Sequence, residues 1–223
     1  DSGTVRIMGQ EMTAELKNDI GIVLDEVGIP ENFTVKTVGR IMRNTFRRWD
    51  DAAFSDHIRR FALPQNQKFK TFSKGMKMKL GIAIALSHDA KLLILDEPTS
   101  GLDPLVRDEI LDLLNEYTRD EDHSVLISSH IVSDLEKICD YIAFLHKGRL
   151  MLCEEKDRLL EQFCFINVTQ EQLSELNEDA IKGTKSNKWG LEAIADRTRI
   201  PESFEKKPVS IEDLFVFMAK KES

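Results

Sequence analysis

The chain predicts an α/β fold built on a parallel β-sheet, and three observations carry that expectation. Leu92-Leu93-Ile94-Leu95 is an apolar run that ends on two adjacent carboxylates, Asp96 and Glu97. A run of this kind, without polar alternation, suits a strand buried on both faces. Strand-like segments alternate along the chain with segments of helical spacing. The residues of chemical interest fall at strand ends, where open parallel sheets place their sites.

The elements follow in order. Asp1-Ser2-Gly3 is turn chemistry, then residues 4–8 read as a strand and Gly9 as another turn. Ile20-Gly21-Ile22-Val23-Leu24 reads as a second strand, ending at Asp25 and Glu26. From about residue 34 to 70 the spacing is helical. Val35, Val38, Ile41, Met42 and Phe46 recur on one face, Phe54, Ile58 and Phe61 follow, and Pro64 closes the region. Arg43, Arg47, Arg48, Arg59 and Arg60 supply its solvated face. Phe33, Phe46 and Trp49 either pack within this small helical insertion or form a docking surface.

Ser73 caps a long helix with Met76, Leu80, Ala83 and Ile84 inward. The strand ending at Asp96 comes next. Pro104 opens a helix whose apolar stripe is Ile110, Leu113, Leu114 and Tyr117. Residues 125–128 form a short buried strand that ends near His130, and Leu135 and Ile138 mark the helix after it. Residues 141–152, turning at Lys147-Gly148, read as a hairpin. Residues 165–168 read as a strand, the stretch 182–188 as polar, and 211–218 as a helix. The predicted organisation is a core of residues 1–31 and 71–163, a helical subdomain of residues 32–70, and a small C-terminal α+β appendage of residues 164–223.

Composition bounds the function. Apolar residues make up 41% of the 223, enough for a sizeable core. The net charge of -8 argues against binding nucleic acid through overall charge, and no nucleic-acid partner is expected. The three cysteines are odd in number and lack metal-ligand spacing, so a reducing compartment is the expectation. No apolar run approaches the roughly 18–20 residues that span a bilayer, and no segment has the pattern of a signal peptide.

Two carboxylates at a buried strand end need a partner, and a divalent cation with a phosphate supplies one. Asp96 would hold Mg²⁺ through water, and Glu97 would orient or deprotonate an attacking water. A bare acidic pair is more often a capping or solvated feature. The apolar run before it and Pro98-Thr99-Ser100-Gly101-Leu102-Asp103 after it favour the chemical reading.

Residues 92–103 resemble the Walker B motif and D-loop of the ATP-binding cassette (ABC) ATPases. Upstream, Phe72-Ser73-Lys74-Gly75-Met76 resembles their signature motif, usually Leu-Ser-Gly-Gly-Gln. A serine at a helix start beside a glycine presents backbone N–H groups and the positive end of the helix dipole to an anion. The resemblance implies that Ser73, Lys74 and Gly75 face the γ-phosphate of ATP held by the opposite subunit, with Phe72, Lys74 and Met76 departing from the usual residues. It implies the switch-histidine role for His130, and for Asp103 a link across a dimer beside its capping of the Pro104 helix. It places Asp25 where the family has the Q-loop glutamine, a carboxylate that can bind Mg²⁺ or its waters.

The likeness covers roughly residues 1–160. It implies a P-loop NTPase-like core, ATP and Mg²⁺ as cofactors, and an ATPase that works as a homo- or heterodimer. The insertion, the signature and the 211–215 helix are most similar to ATPase subunits of drug- or peptide-export transporters. A transmembrane permease partner is then implied, with the protein cytoplasmic and peripheral on the inner face of the cell membrane. Alternatives are a soluble ABC ATPase outside transport and a non-catalytic regulatory module. No Gly-x-x-x-x-Gly-Lys-[Ser/Thr] phosphate loop occurs in the sequence. In the family that loop precedes the strand at 4–8. The N-terminal part of the core is therefore expected to be missing, and the 223 residues alone to be inactive.

Overall fold

The computed structural model describes residues 2–187 and 190–221. Asp1 of the opening turn and Lys188 of the polar stretch lie outside the described residues. The chain divides into two compact units between Ile131 and Val132.

In the first unit, β1 (Arg6–Ile7) and β2 (Gln10–Glu11) form a short antiparallel hairpin instead of one strand over 4–8. Met8 and Gly9 turn it with φ of 51° and 74°. Then come β3 (Ile20–Val23), α1 (Val35–Thr45), α2 (Asp51–Arg60), α3 (Lys74–Leu86), β4 (Leu92–Asp96), α4 (Pro104–Tyr117) and β5 (Ser124–Ser128). The order β3-β4-β5 is parallel throughout, in register Val23↔Leu95 and Asp96↔Ser128, so all three strands end on one edge. The α/β class with a parallel sheet is what the apolar run and the alternation of elements predict.

Helix α3 meets β3 at very close range. A Cβ on Gly21 would lie 2.7 Å from Leu93 Cδ2 and 2.9 Å from Ala85 Cβ, and one on Gly81 would lie 2.9 Å from Val23 Cγ1. Leu93 and Leu95 are sealed in this face, each removal from water being worth roughly 1.5–3 kcal/mol. Burial on both faces does not hold for this sheet. Ile22, Ile94 and Leu126 share a register position on the opposite face, where Ile22 is 59% and Leu126 61% exposed. No described element seals that face, so β5 is half-open where a buried strand is expected.

The helical insertion is two helices. The Thr34 hydroxyl caps α1 and the Asp50 carboxylate caps α2. Ile41 points to solvent, because α1 buries only Val35, Val38 and Gly39. Gly39 is where the Phe54 ring of α2 presses against α1. Helix α3 is buried on more than one side. Met78 and Ile82 are enclosed there, while Met76 and Ile84 are only half-buried, so a single inward stripe does not describe it.

The second unit contains α5 (Val132–Ile138), β6 (Tyr141–His146), β7 (Arg149–Glu155), α6 (Lys156–Gln162), β8 (Phe163–Val168), α7 (Gln170–Glu175), β9 (Ile181–Asn187), β10 (Gly190–Asp196) and α8 (Ile211–Lys221). The hairpin β6-β7 pairs as expected, turning at Lys147 and Gly148 with φ of 46° and 76°. The sheet β8-β10-β9 is antiparallel, and the polar stretch supplies its edge strand β9. Ile142, Phe144, Leu159 and Phe163 share one core with Ile194, Ile211, Leu214 and Phe217. This shared core is why the unit begins at Val132 and not at residue 164.

Candidate functional site

The parallel sheet delivers its carboxylates and their partners to one edge. Asp96 is the last residue of β4, and its Oδ1 accepts a 2.6 Å hydrogen bond from the Ser128 hydroxyl at the end of β5. The Glu97 amide donates to the Ser128 carbonyl at 3.0 Å, which extends the ladder by one residue. Glu97 then turns with φ of 49°, a left-handed conformation that a residue other than glycine adopts at a cost of about 1–3 kcal/mol. That turn sends its carboxylate toward His130, whose Nδ1 lies 2.7 Å from Glu97 Oε2. An ionised carboxylate only accepts, so Nδ1 carries the hydrogen in this pair and Nε2 is left for another partner. The imidazole is 67% exposed and the Glu97 side chain 27%, so the pair opens to solvent from the histidine side.

After Glu97 the chain folds back tightly. The Ser100 amide donates to the Glu97 carbonyl and the Leu102 amide to that of Thr99, while Thr99 is buried. Gly101, at φ +67°, supplies the left-handed residue this turn requires. Asp103 caps α4, its Oδ1 accepting from the Val106 amide at 3.1 Å, with Pro104 in the first turn. The structure shows the capping role of Asp103.

Ser73 caps α3 by accepting from the Met76 amide at 3.2 Å. Gly75 lets this end of the helix approach the start of α4, since a Cβ there would lie 3.2 Å from Val106 Cγ1. Lys79 of α3 donates to Glu109 of α4 at 2.6 Å and fixes the two helices. Lys74 reaches Asp25, just beyond β3, with Nζ 2.7 Å from Oδ1.

The structure thus groups the expected residues in two sets. Asp96, Glu97 and His130 meet around Ser128. Asp25, Lys74 and Gly75 meet beside Gly101 and the start of α4, which Asp103 caps. Ser128 was not singled out from the sequence. A serine ending a strand two residues before His130 is its signal in the sequence. Of the insertion aromatics, Phe46 stacks at 4.0 Å on His88, which follows α3 outside the insertion, whereas Trp49 tilts against Phe54 within it and its Nε1 donates to Asp51.

Among the described residues no three His, Cys, Asp or Glu side chains gather with metal-binding geometry. An Mg²⁺ that arrives with a nucleotide needs only one or two carboxylates from the protein. Asp96 uses only Oδ1 for Ser128 in the described contacts, and Asp25 Oδ1 accepts no hydrogen bond.

Comparison with known proteins identifies the family. The family model described as ABC transporter matches residues 1–100. The ABC transporter ATP-binding protein YtrB of Bacillus subtilis is 29% identical over 170 residues, 75% of this chain and 58% of YtrB. The lantibiotic transport ATP-binding protein SrtF of Streptococcus pyogenes is 33% identical over 158 residues, 70% of this chain and 68% of SrtF. A solved ATP-binding subunit of an ABC transporter superposes with a TM-score of 0.63 at 26% identity, covering 72% of this chain and 70% of that one. The chain therefore spans well under the full length of these relatives, and it belongs to the family of ABC transporter ATP-binding proteins.

Proposed function

We propose that the chain is the greater part of an ATP-binding and ATP-hydrolysing subunit that drives a membrane permease, of the exporting kind. The observation that supports this best is the strand-edge set of Asp96, Glu97, Ser128 and His130. Ser128 holds the Asp96 carboxylate by one oxygen, and the other is left for Mg²⁺ or its water. Glu97 is aimed by its left-handed turn and oriented by His130, the arrangement of a base that positions a water. With Nδ1 on Glu97, the imidazole Nε2 would contact the terminal phosphate of a nucleotide. Mg²⁺ bound with ATP would be held by Asp96 and would supply neutralisation of the phosphate charge.

Ser73 and Gly75 present the start of α3, with its free amides, to an anion supplied by a second ATPase subunit of the same or a different kind. Asp103 sits beside that helix start, suited to a contact across the dimer. Asp25 stands on the same edge as Asp96 and serves as a further Mg²⁺ contact. The 223 residues contain no Gly-x-x-x-x-Gly-Lys-[Ser/Thr] loop to cradle phosphates, so these residues alone bind ATP weakly and do not turn it over. The transport ascribed to SrtF by its name supports a peptide-type cargo. No helix among the described residues is long and apolar enough to cross a membrane, which is compatible with a subunit held at the cytoplasmic face by its permease.

The test is purification of the full-length protein from its native host. Co-fractionation with an integral membrane protein, and ATP turnover that changes when this partner is reconstituted with it, support the proposal. Co-fractionation with ribosomes would favour a soluble ABC ATPase outside transport.

A further inference from the structure

We propose that Asp25 and Lys74 form an internal latch that ties the end of β3 to the first turn of α3 and withholds Lys74 from an anion approaching that turn. Nζ of Lys74 lies 2.7 Å from Oδ1 of Asp25, and the two side chains are 43% and 44% exposed. Solvent therefore screens the pair in part, and its effect on the turn is modest. Oδ1 is closed off from water and accepts no hydrogen bond, so the ammonium is an ionic contact without hydrogen-bond alignment. Removing that ammonium would leave a shielded carboxylate oxygen uncompensated.

The surroundings hold the lysine in place. A Cβ on Gly101 would lie 3.8 Å from both Cδ and Nζ of Lys74, so the stem crosses the backbone at the tight turn after Glu97. The two side chains line a cavity of about 450 Å³ together with Glu26, Glu31, Phe69 and Lys77. Its acidic wall is richer in charge than its basic one, and Lys77 is already drawn over the Phe69 ring at 5.1 Å. Lys74 is the ammonium that meets Asp25.

Both residues depart from the pattern that the chain otherwise resembles, a carboxylate for a glutamine and an ammonium for a glycine. Each alone adds an unbalanced charge, and together they cancel. The pairing also makes their two roles exclusive. While Lys74 holds Asp25, the ammonium is not free for a phosphate, and Oδ1 is not free for a cation. Drawing Asp25 away releases Lys74. Lys74 is thus a positioning residue for α3 in the latched state. Its effect on nucleotide binding rests on the proposed function, whereas the latch itself does not.

The test uses Asp25→Asn, Lys74→Met and the double variant. Amide hydrogen exchange is followed over residues 75–78 of the 223-residue chain. At about 20 mM salt each single variant should speed exchange by about two- to fivefold, with the double no faster than either. Raising salt to about 0.5 M should move the unmodified chain the same way. Additive single effects, or an unmodified chain indifferent to salt, overturn the latch, and the salt titration decides even if a variant fails to fold. In the full-length protein, Lys74→Met should weaken ATP binding at least about threefold more in the Asp25→Asn background than with Asp25 present. Equal losses in both backgrounds overturn the exclusion. If no form binds ATP, the unmodified protein included, the proposed function fails and the exchange cycle still decides the latch.

Discussion

Gly21→Ala adds one methyl group at the point where β3 and α3 meet. The new Cβ would sit 2.7 Å from Leu93 Cδ2 and 2.9 Å from Ala85 Cβ, with Ala85 Cα at 3.3 Å. Carbon atoms in good contact stand about 3.5–4.0 Å apart, so each neighbour must yield by roughly 0.6–1.3 Å. Leu93 is fully buried, so its side chain can yield only by moving its packed neighbours. Ala85 has no rotamer to change, so its relief requires α3 itself to shift. Overpacking of this kind costs about 1–3 kcal/mol. The smaller backbone entropy of alanine in the unfolded chain returns about 0.4–1 kcal/mol. The net loss is therefore about 1–2 kcal/mol, or roughly a 0.5 M fall in the urea midpoint of the first unit.

Gly28→Ala is the control, because a Cβ there meets nothing within 4 Å. Trp49 fluorescence in a Trp189→Phe background reports the first unit in both variants. A Gly21→Ala midpoint equal to or above that of Gly28→Ala would refute the close contact between β3 and α3.

Three other contacts give further expected outcomes. Burial pushes the His88 imidazole below its ordinary value of 6.5, and His57 shifts the same way from burial and the nearby Arg60. The unfolded chain then takes up protons near pH 6.5 that the folded chain refuses. First-unit stability should be level above that pH and fall below it, and His88→Gln should flatten the fall in urea midpoints between pH 7.5 and 5. Ser128→Ala removes the 2.6 Å hydrogen bond to Asp96 and should raise the Mg²⁺ concentration for half-maximal turnover of the full-length ATPase about tenfold, read by titrating Mg²⁺ against turnover. Gly183→Ala would place a Cβ 2.5 Å from the Phe217 carbonyl oxygen, and should destabilise the second unit by about 2–3 kcal/mol in a melting experiment.

The parts of the fold legible in the sequence are those where local chemistry is unambiguous. The run 92–95 into Asp96, the caps Ser73 and Asp103, and the turn at Lys147-Gly148 all stand where their residue types place them. What failed depended on neighbours. Ile41 matches helical spacing but lies outside the contact between α1 and α2. Met78 and Ile82 were missed because α3 is enclosed on more than one side. Leu126 reads as buried from its composition, yet nothing described covers its face. The edge strand β9 reads as polar because most of its residues are hydrophilic, and its pairing with β10 is a matter of register that no local pattern reveals.

The site was legible by type and order, and its contacts were not. Asp96, Glu97 and His130 come from the strand ends. The left-handed turn at Glu97 and the Ser128 hydroxyl that braces Asp96 emerge only when β4 and β5 lie side by side. The pairing of Asp25 with Lys74 joins residues far apart in the chain, each of which looked like an isolated departure from the resembled pattern.

The most direct measurement of the central claim is ATP turnover by full-length Glu97→Gln beside its ATP affinity. Glutamine keeps the shape of the side chain but cannot take a proton from water. Turnover should fall by roughly 10²–10⁴-fold while ATP still binds. Near-normal turnover in this variant would contradict the assignment of Glu97 as the residue that activates water.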